Sequence, residues 1–79
     1  MNERQFMEFA LNERMDIVNL RGNFVGFREY YNQRLNLYSV YDFHVEVIYS
    51  PSENKITDVR VAEPKTIEKL YDLQNDKND

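Results

Sequence analysis

The stretch Leu35-Asn36-Leu37-Tyr38-Ser39-Val40-Tyr41-Asp42-Phe43-His44-Val45-Glu46-Val47 decides how this chain folds. From Phe43 to Val47 apolar and polar side chains alternate strictly, and a period of two is what a strand with one buried face requires. Asp42 tolerates the left-handed backbone of a tight turn, so Tyr41-Asp42 is expected to join two strands as a hairpin. The same period continues outward from this centre. It predicts strands at residues 23–31, 34–40, 43–50 and 56–62, with Asn32-Gln33 and Pro51-Ser52-Glu53-Asn54-Lys55 as the other breaks. Parallel strands need crossovers of about a dozen residues or more. These connections are too short for that, so the sheet is an antiparallel meander.

Two-residue loops at 32–33 and 41–42 fix which residues stand opposite one another, and paired residues share a face. One face then gathers Val25, Phe27, Tyr38, Val40, Phe43, Val45 and Val47, and Val61 joins them if Val47 pairs with Val59. The other face falls into three transverse rows. They are Tyr30, Leu35, Ile48, Asp58; then Arg28, Leu37, Glu46, Arg60; then Gly26, Ser39, His44, Ala62. Leu35, Leu37 and Ile48 form an apolar island in this second face. Either the C-terminal segment covers the island or it is a surface for a partner.

Both flanks of the sheet read as helix. Over residues 3–21 the period is 3.6, with Gln5, Glu8, Asn12, Asp16 and Asn19 on a wet stripe and Phe6, Met7, Ala10, Leu11, Ile17 and Val18 opposite. Asn2 and Gln5 have the spacing of a capping box, and Arg21-Gly22 ends the segment with a cation and a stop residue. A short helix at 65–73, opened by Pro64, sets Ile67, Leu70 and Tyr71 on one face. Gln74 to Asp79 has no apolar residue and reads as a disordered polar tail. The expected fold class is α+β in the order α-β-β-β-β-α, a single domain over residues 1–73 with the N-terminal helix on the Val45 face.

Composition removes several classes of function. A chain of 79 residues buries only about 60–65% of its unfolded surface, which leaves little room for an enclosed active site. Cysteine is absent, so the fold stands without disulfides and without Cys-based metal sites. Fourteen acidic against ten basic residues leave a net charge of −4, a poor balance for neutralising phosphates. No apolar run approaches the roughly 20 residues of a membrane span. Met1-Asn2-Glu3-Arg4-Gln5 does not open a signal peptide, and the cytoplasm is the expected location.

The chemistry-bearing residues give weak patterns. Asp42, His44 and Glu46 alternate along one strand, but positions i and i+4 there lie about 13 Å apart and cannot converge on one ion. Ser39 is expected opposite His44, with no oxyanion donor nearby. Gly22 and Gly26 fit no phosphate loop, and Gly26 within a strand reads as a bulge or a close backbone approach. No catalytic residue, metal ligand or cofactor site is therefore assigned, and the chain is read as non-enzymatic. The second reading is single-stranded nucleic-acid binding, with bases stacked on the face that carries Arg28, Tyr30 and Arg60. Glu46 and Asp58 among those arginines, and the acidic total, count against it.

The six tyrosines cluster in and beside the strands, where an apolar ring with a polar tip suits both sheet edges and interfaces. The leading expectation is a protein-protein interaction domain with a protein partner or a second copy of itself. It would act through an unprotected sheet edge at Phe24 or through the second face. The candidate interaction surface comprises Phe24, Arg28, Tyr30, Leu35, Leu37, His44, Glu46, Ile48 and Arg60.

Segments across the chain, Leu11 to Phe24, Arg28-Glu29-Tyr30-Tyr31-Asn32, Leu35-Asn36-Leu37-Tyr38, Phe43 to Tyr49 and Asn54-Lys55-Ile56, resemble those of a group of short uncharacterised bacterial proteins. The resemblance implies the helix, Arg-Gly, meander order. That group has no assigned activity, so it implies no site residues.

Overall fold

In the computed structural model, which describes residues 1–71, alternation of side chains has become a meander of strands between helices. The elements are α1 (Glu3–Met7), α2 (Leu11–Arg21), β1 (Asn23–Tyr30), β2 (Gln33–Val40), β3 (Phe43–Ser50), β4 (Lys55–Ala62) and α3 (Pro64–Leu70). The sheet is antiparallel in the order β1-β2-β3-β4. The expected tail at 74–79 and the last residues of the helix expected at 65–73 lie outside the described residues. Among the described residues no helix is long and apolar enough to cross a membrane.

The central register is the expected one. Val40 faces Phe43 across Tyr41-Asp42, and Val45, Glu46 and Val47 face Val61, Arg60 and Val59. The side of the sheet covered by the N-terminal segment buries Val40, Phe43, Val45, Val47 and Val59 beneath Phe6 and Val18. Phe6 meets Phe43 edge to face at 5.7 Å. Leu11, Met15 and Ile17 close the margins.

Three expectations are corrected. The first turn is Tyr31-Asn32 rather than Asn32-Gln33, because Tyr30 pairs with Gln33. Sliding by two positions keeps alternate residues on the same side, so Phe27 stays on the α2 side opposite Asn36. A bulge between Phe24 and Gly26 then turns Val25 over. Val25 packs with Leu37, Ala62 and Tyr71 on the reverse side, and Phe24 takes its place against Tyr38. A bulge inserts one residue and so exchanges the two sides beyond it.

The N-terminal helix is also two helices. Asn2 and Gln5 form the anticipated capping box, but α1 ends at Met7 and the backbone is extended at Ala10. Glu13 reaches back to accept the Ala10 N–H at 2.9 Å, doing half of a capping box where Ala10 has no side-chain acceptor. Arg14 holds the bend to the sheet. Its Nη1 donates to the Val59 carbonyl at 2.8 Å and lies 3.4 Å from Met7 Sδ.

Gly22 ends α2 for a steric reason. Its backbone is extended, with φ −83° and ψ 147°, so no left-handed turn requires glycine. Its N–H bonds the Val18 carbonyl at 2.8 Å, and a Cβ added there would stand 2.6 Å from that oxygen. Gly22→Ala is therefore expected to destabilise the fold by about 1–3 kcal/mol, the usual cost of overfilling a close contact. Urea denaturation monitored by circular dichroism measures it; an unchanged midpoint would refute the steric account.

Candidate functional site

The reverse side of the sheet is built around a buried carboxylate. Glu46 projects from the middle of β3 and is 1% exposed. β4 brings Arg60 opposite it, and β1 brings Arg28 from beyond β2. The chain after α3 brings Tyr71 down on top. Arg28 Nε donates to Glu46 Oε2 at 3.0 Å, and Tyr71 Oη donates to the same oxygen at 2.6 Å. Arg60 reaches Oε1 through Nε at 3.4 Å and Nη2 at 3.3 Å. The Arg28 guanidinium also lies 5.6 Å from the centre of the Tyr71 ring.

The electrostatics follow from this geometry. Burial by itself pushes the Glu46 carboxyl up, but the hydrogen bonds from Tyr71 and Arg28, with the charges of Arg28 and Arg60, outweigh it. The net result lies below the ordinary carboxylate value, so Glu46 is ionised at neutral pH. Burial and the adjacent carboxylate push the Tyr71 hydroxyl well above its usual range, which keeps it a neutral donor. Burial works against the Arg28 charge, but Glu46 and Tyr71 more than restore it.

This arrangement divides the candidate surface. Leu35, Leu37, Glu46 and Ile48 are all buried within one chain. Leu37 is covered from inside, by Tyr71 and Ile67 of the C-terminal segment, while Leu35 and Ile48 lie at the floor of a groove beside Leu70. Leu70, expected to share that task, is half exposed. Ser39 does stand opposite His44, and His44 is partly buried, while both Glu46 oxygens are engaged by Arg28, Arg60 and Tyr71. Arg28 and Arg60 both bond Glu46, and the Tyr71 ring lies beside the Arg28 guanidinium. Tyr30 and Phe24 remain exposed. The sequence marks Tyr71 only as part of an apolar helix face, and nothing in it signals a donor to Glu46.

The two edges of the sheet differ. In a two-residue hairpin the closing pair exchanges both ladder bonds, so alternate residues turn their backbone groups outward. On β4 this exposes Val59 and Val61. Both groups of Val59, in the middle of the strand, are capped, since Asp58 Oδ1 accepts its N–H at 2.9 Å and Arg14 takes its carbonyl. Among the described residues no side chain caps Val61. Asp58 thus protects this part of the edge. On β1 the outward groups belong to Phe27 and Glu29, and among the described residues no side chain caps them. Phe24 and Phe27, 56% and 51% exposed, flank that edge on the α2 side. Arg34 lies over the Phe27 ring, its guanidinium 3.9 Å from the centroid.

No known protein family, curated protein or solved structure matches this chain. The geometry alone carries the functional argument.

Glu46→Gln is expected to cost about 3 kcal/mol at neutral pH, since it leaves two guanidiniums facing a neutral group. The sign of the pH dependence is fixed by the lowered carboxyl value. The Glu46 contribution is complete above the ordinary value of 4.5 and is lost as pH falls from there through the folded value. Urea midpoints across the acid range should therefore fall more steeply for the parent chain than for Glu46→Gln; parallel profiles would refute an ionised Glu46. Tyr71→Phe, which deletes one bond to a charged acceptor, is expected to cost about 1.5–3 kcal/mol in the same assay.

Proposed function

We propose that this chain is a non-enzymatic, cytoplasmic protein-protein interaction domain that adds an extended strand along β1, with a second copy of the chain as the partner. The observation that carries this reading is the asymmetry of the edges. The middle of the β4 edge is closed at Val59 by Asp58 and Arg14, leaving Val61 open at its end, whereas on β1 no side chain among the described residues closes Phe27 or Glu29. An open edge is a template for another strand. The bulge at Val25 confines regular pairing to Gly26 through Tyr30.

Charge and apolar area favour self-association. Glu29 and Arg34 stand opposite one another on β1 and β2, both exposed, beside exposed Phe24 and Phe27. A twofold axis along this edge sets the acid of one copy near the base of the other and buries four phenylalanine rings between them. A self-complementary patch of this kind is what a closed dimer requires.

Sedimentation equilibrium from micromolar to millimolar chain tests the reading. A concentration-dependent dimer is expected, with Phe27→Lys and Phe24→Lys weakening it at least tenfold and the exposed Leu20→Lys on α2 leaving it unchanged. A single monomeric species throughout, or a dimer indifferent to both phenylalanine substitutions, would overturn it.

A further inference from the structure

The two guanidiniums at Glu46 face a single carboxylate, and what that leaves over opens into a groove. Arg28 meets Glu46 through Nε alone and leans on the Tyr71 hydroxyl, with its side chain just 15% exposed. Arg60, with its side chain 45% exposed, holds Glu46 through longer contacts of 3.3 and 3.4 Å. Neither arginine makes an ion pair with any other acid among the described residues. Among the described residues the balance of these three groups is one positive charge, partly withdrawn from water. A cation in that position is costly until a second anion meets it.

The groove beside this charge has the shape of a small-molecule site. It measures about 370 Å³ and lies between Leu70 at the end of α3 and the reverse side of the sheet. Leu35 and Ile48 form its floor, Leu70 and Tyr30 its walls, and Arg28 with Arg60 its basic end. That volume is within the range of known ligand pockets, at the small end. An apolar trough closed by guanidinium forks selects for one kind of molecule. The forks match a planar carboxylate edge to edge, and the floor matches a hydrocarbon body.

We propose that this groove binds a small monocarboxylate with a short apolar body, its carboxylate on Arg28 and Arg60 and its body across Leu35, Ile48 and Leu70. The one positive charge left over from Arg28, Arg60 and Glu46 among the described residues sets the ligand as a monoanion. The site is on the reverse side of the sheet and does not depend on pairing at the β1 edge.

Hexanoate is the probe, titrated into isotopically labelled chain and followed by amide and arginine Nε–H resonances. Saturable shifts at Arg28, Arg60, Leu35 and Ile48 are expected. Acetate, which lacks the body, should bind at least tenfold more weakly, and hexylammonium, which has the wrong charge, should leave these signals unmoved. Arg60→Gln should weaken hexanoate at least tenfold. Leu70→Asp, which places an acid at the exposed mouth and leaves the Glu46 bonds intact, should do the same; its amide spectrum shows directly that the fold is retained. Shifts that fail to saturate, equal binding of acetate and hexanoate, or full affinity in a folded Leu70→Asp chain would each overturn the proposal.

Discussion

A carboxylate removed from water must be met by donors, and Glu46 is met by three side chains drawn from distant parts of the chain. Arg28 comes from β1, Arg60 from β4 and Tyr71 from beyond α3. A buried ion with incomplete partners costs several kcal/mol, so each of these elements is held where its donor can reach. The first strand is kept in the sheet from its far side, and the C-terminal segment is drawn across the sheet rather than left in solvent. One acid thereby ties the outer strands and the last helix to the centre of β3. Leu37 and Ala62, with Val25 and Ile67, fill the space around that contact.

The two sides of the sheet are thus stabilised by different physics. Beneath α1 and α2 the contact is apolar and interlocked, with Phe6 and Val18 set against valines and Phe43. Such packing is indifferent to pH. On the reverse side a charged centre is enclosed by a thin apolar rim, and its contribution depends on protonation. A small chain without cysteine has limited core to draw on, and the polar side adds direction to a fold that hydrophobic burial alone would specify loosely. Arg14 performs a comparable task at the margin, where its guanidinium joins the bend between α1 and α2 to the outer strand.

Much of this was legible in the amino-acid sequence, for identifiable reasons. The β2–β3–β4 register follows from the strict alternation of Phe43 through Val47 and from a turn of fixed length at Tyr41-Asp42. The β1 register was not legible. A turn at Tyr31-Asn32 puts tyrosine at φ 56°, where asparagine or glycine is the usual occupant, so the sequence pointed one residue too far along. Tyr31 is held there with its ring 4.5 Å from that of Tyr30, and Tyr41, at φ 55°, is stacked on Phe43. The interruption at Ala10 was hidden because alanine is no capping residue and the helical period runs through it. Glu46 was the largest gap. An acid among arginines on a mixed face reads as solvated, and only the arrival of Tyr71 from 25 positions away excludes the water.

That separation sets an order of assembly. A ribosome releases β3 well before Tyr71, so for an interval the nascent chain holds both outer strands while its central acid still faces solvent. The helices of the N-terminal half and the hairpins can form in that interval. The reverse side closes only when Tyr71 reaches Glu46, so the buried carboxylate is sealed after the strands around it have been made.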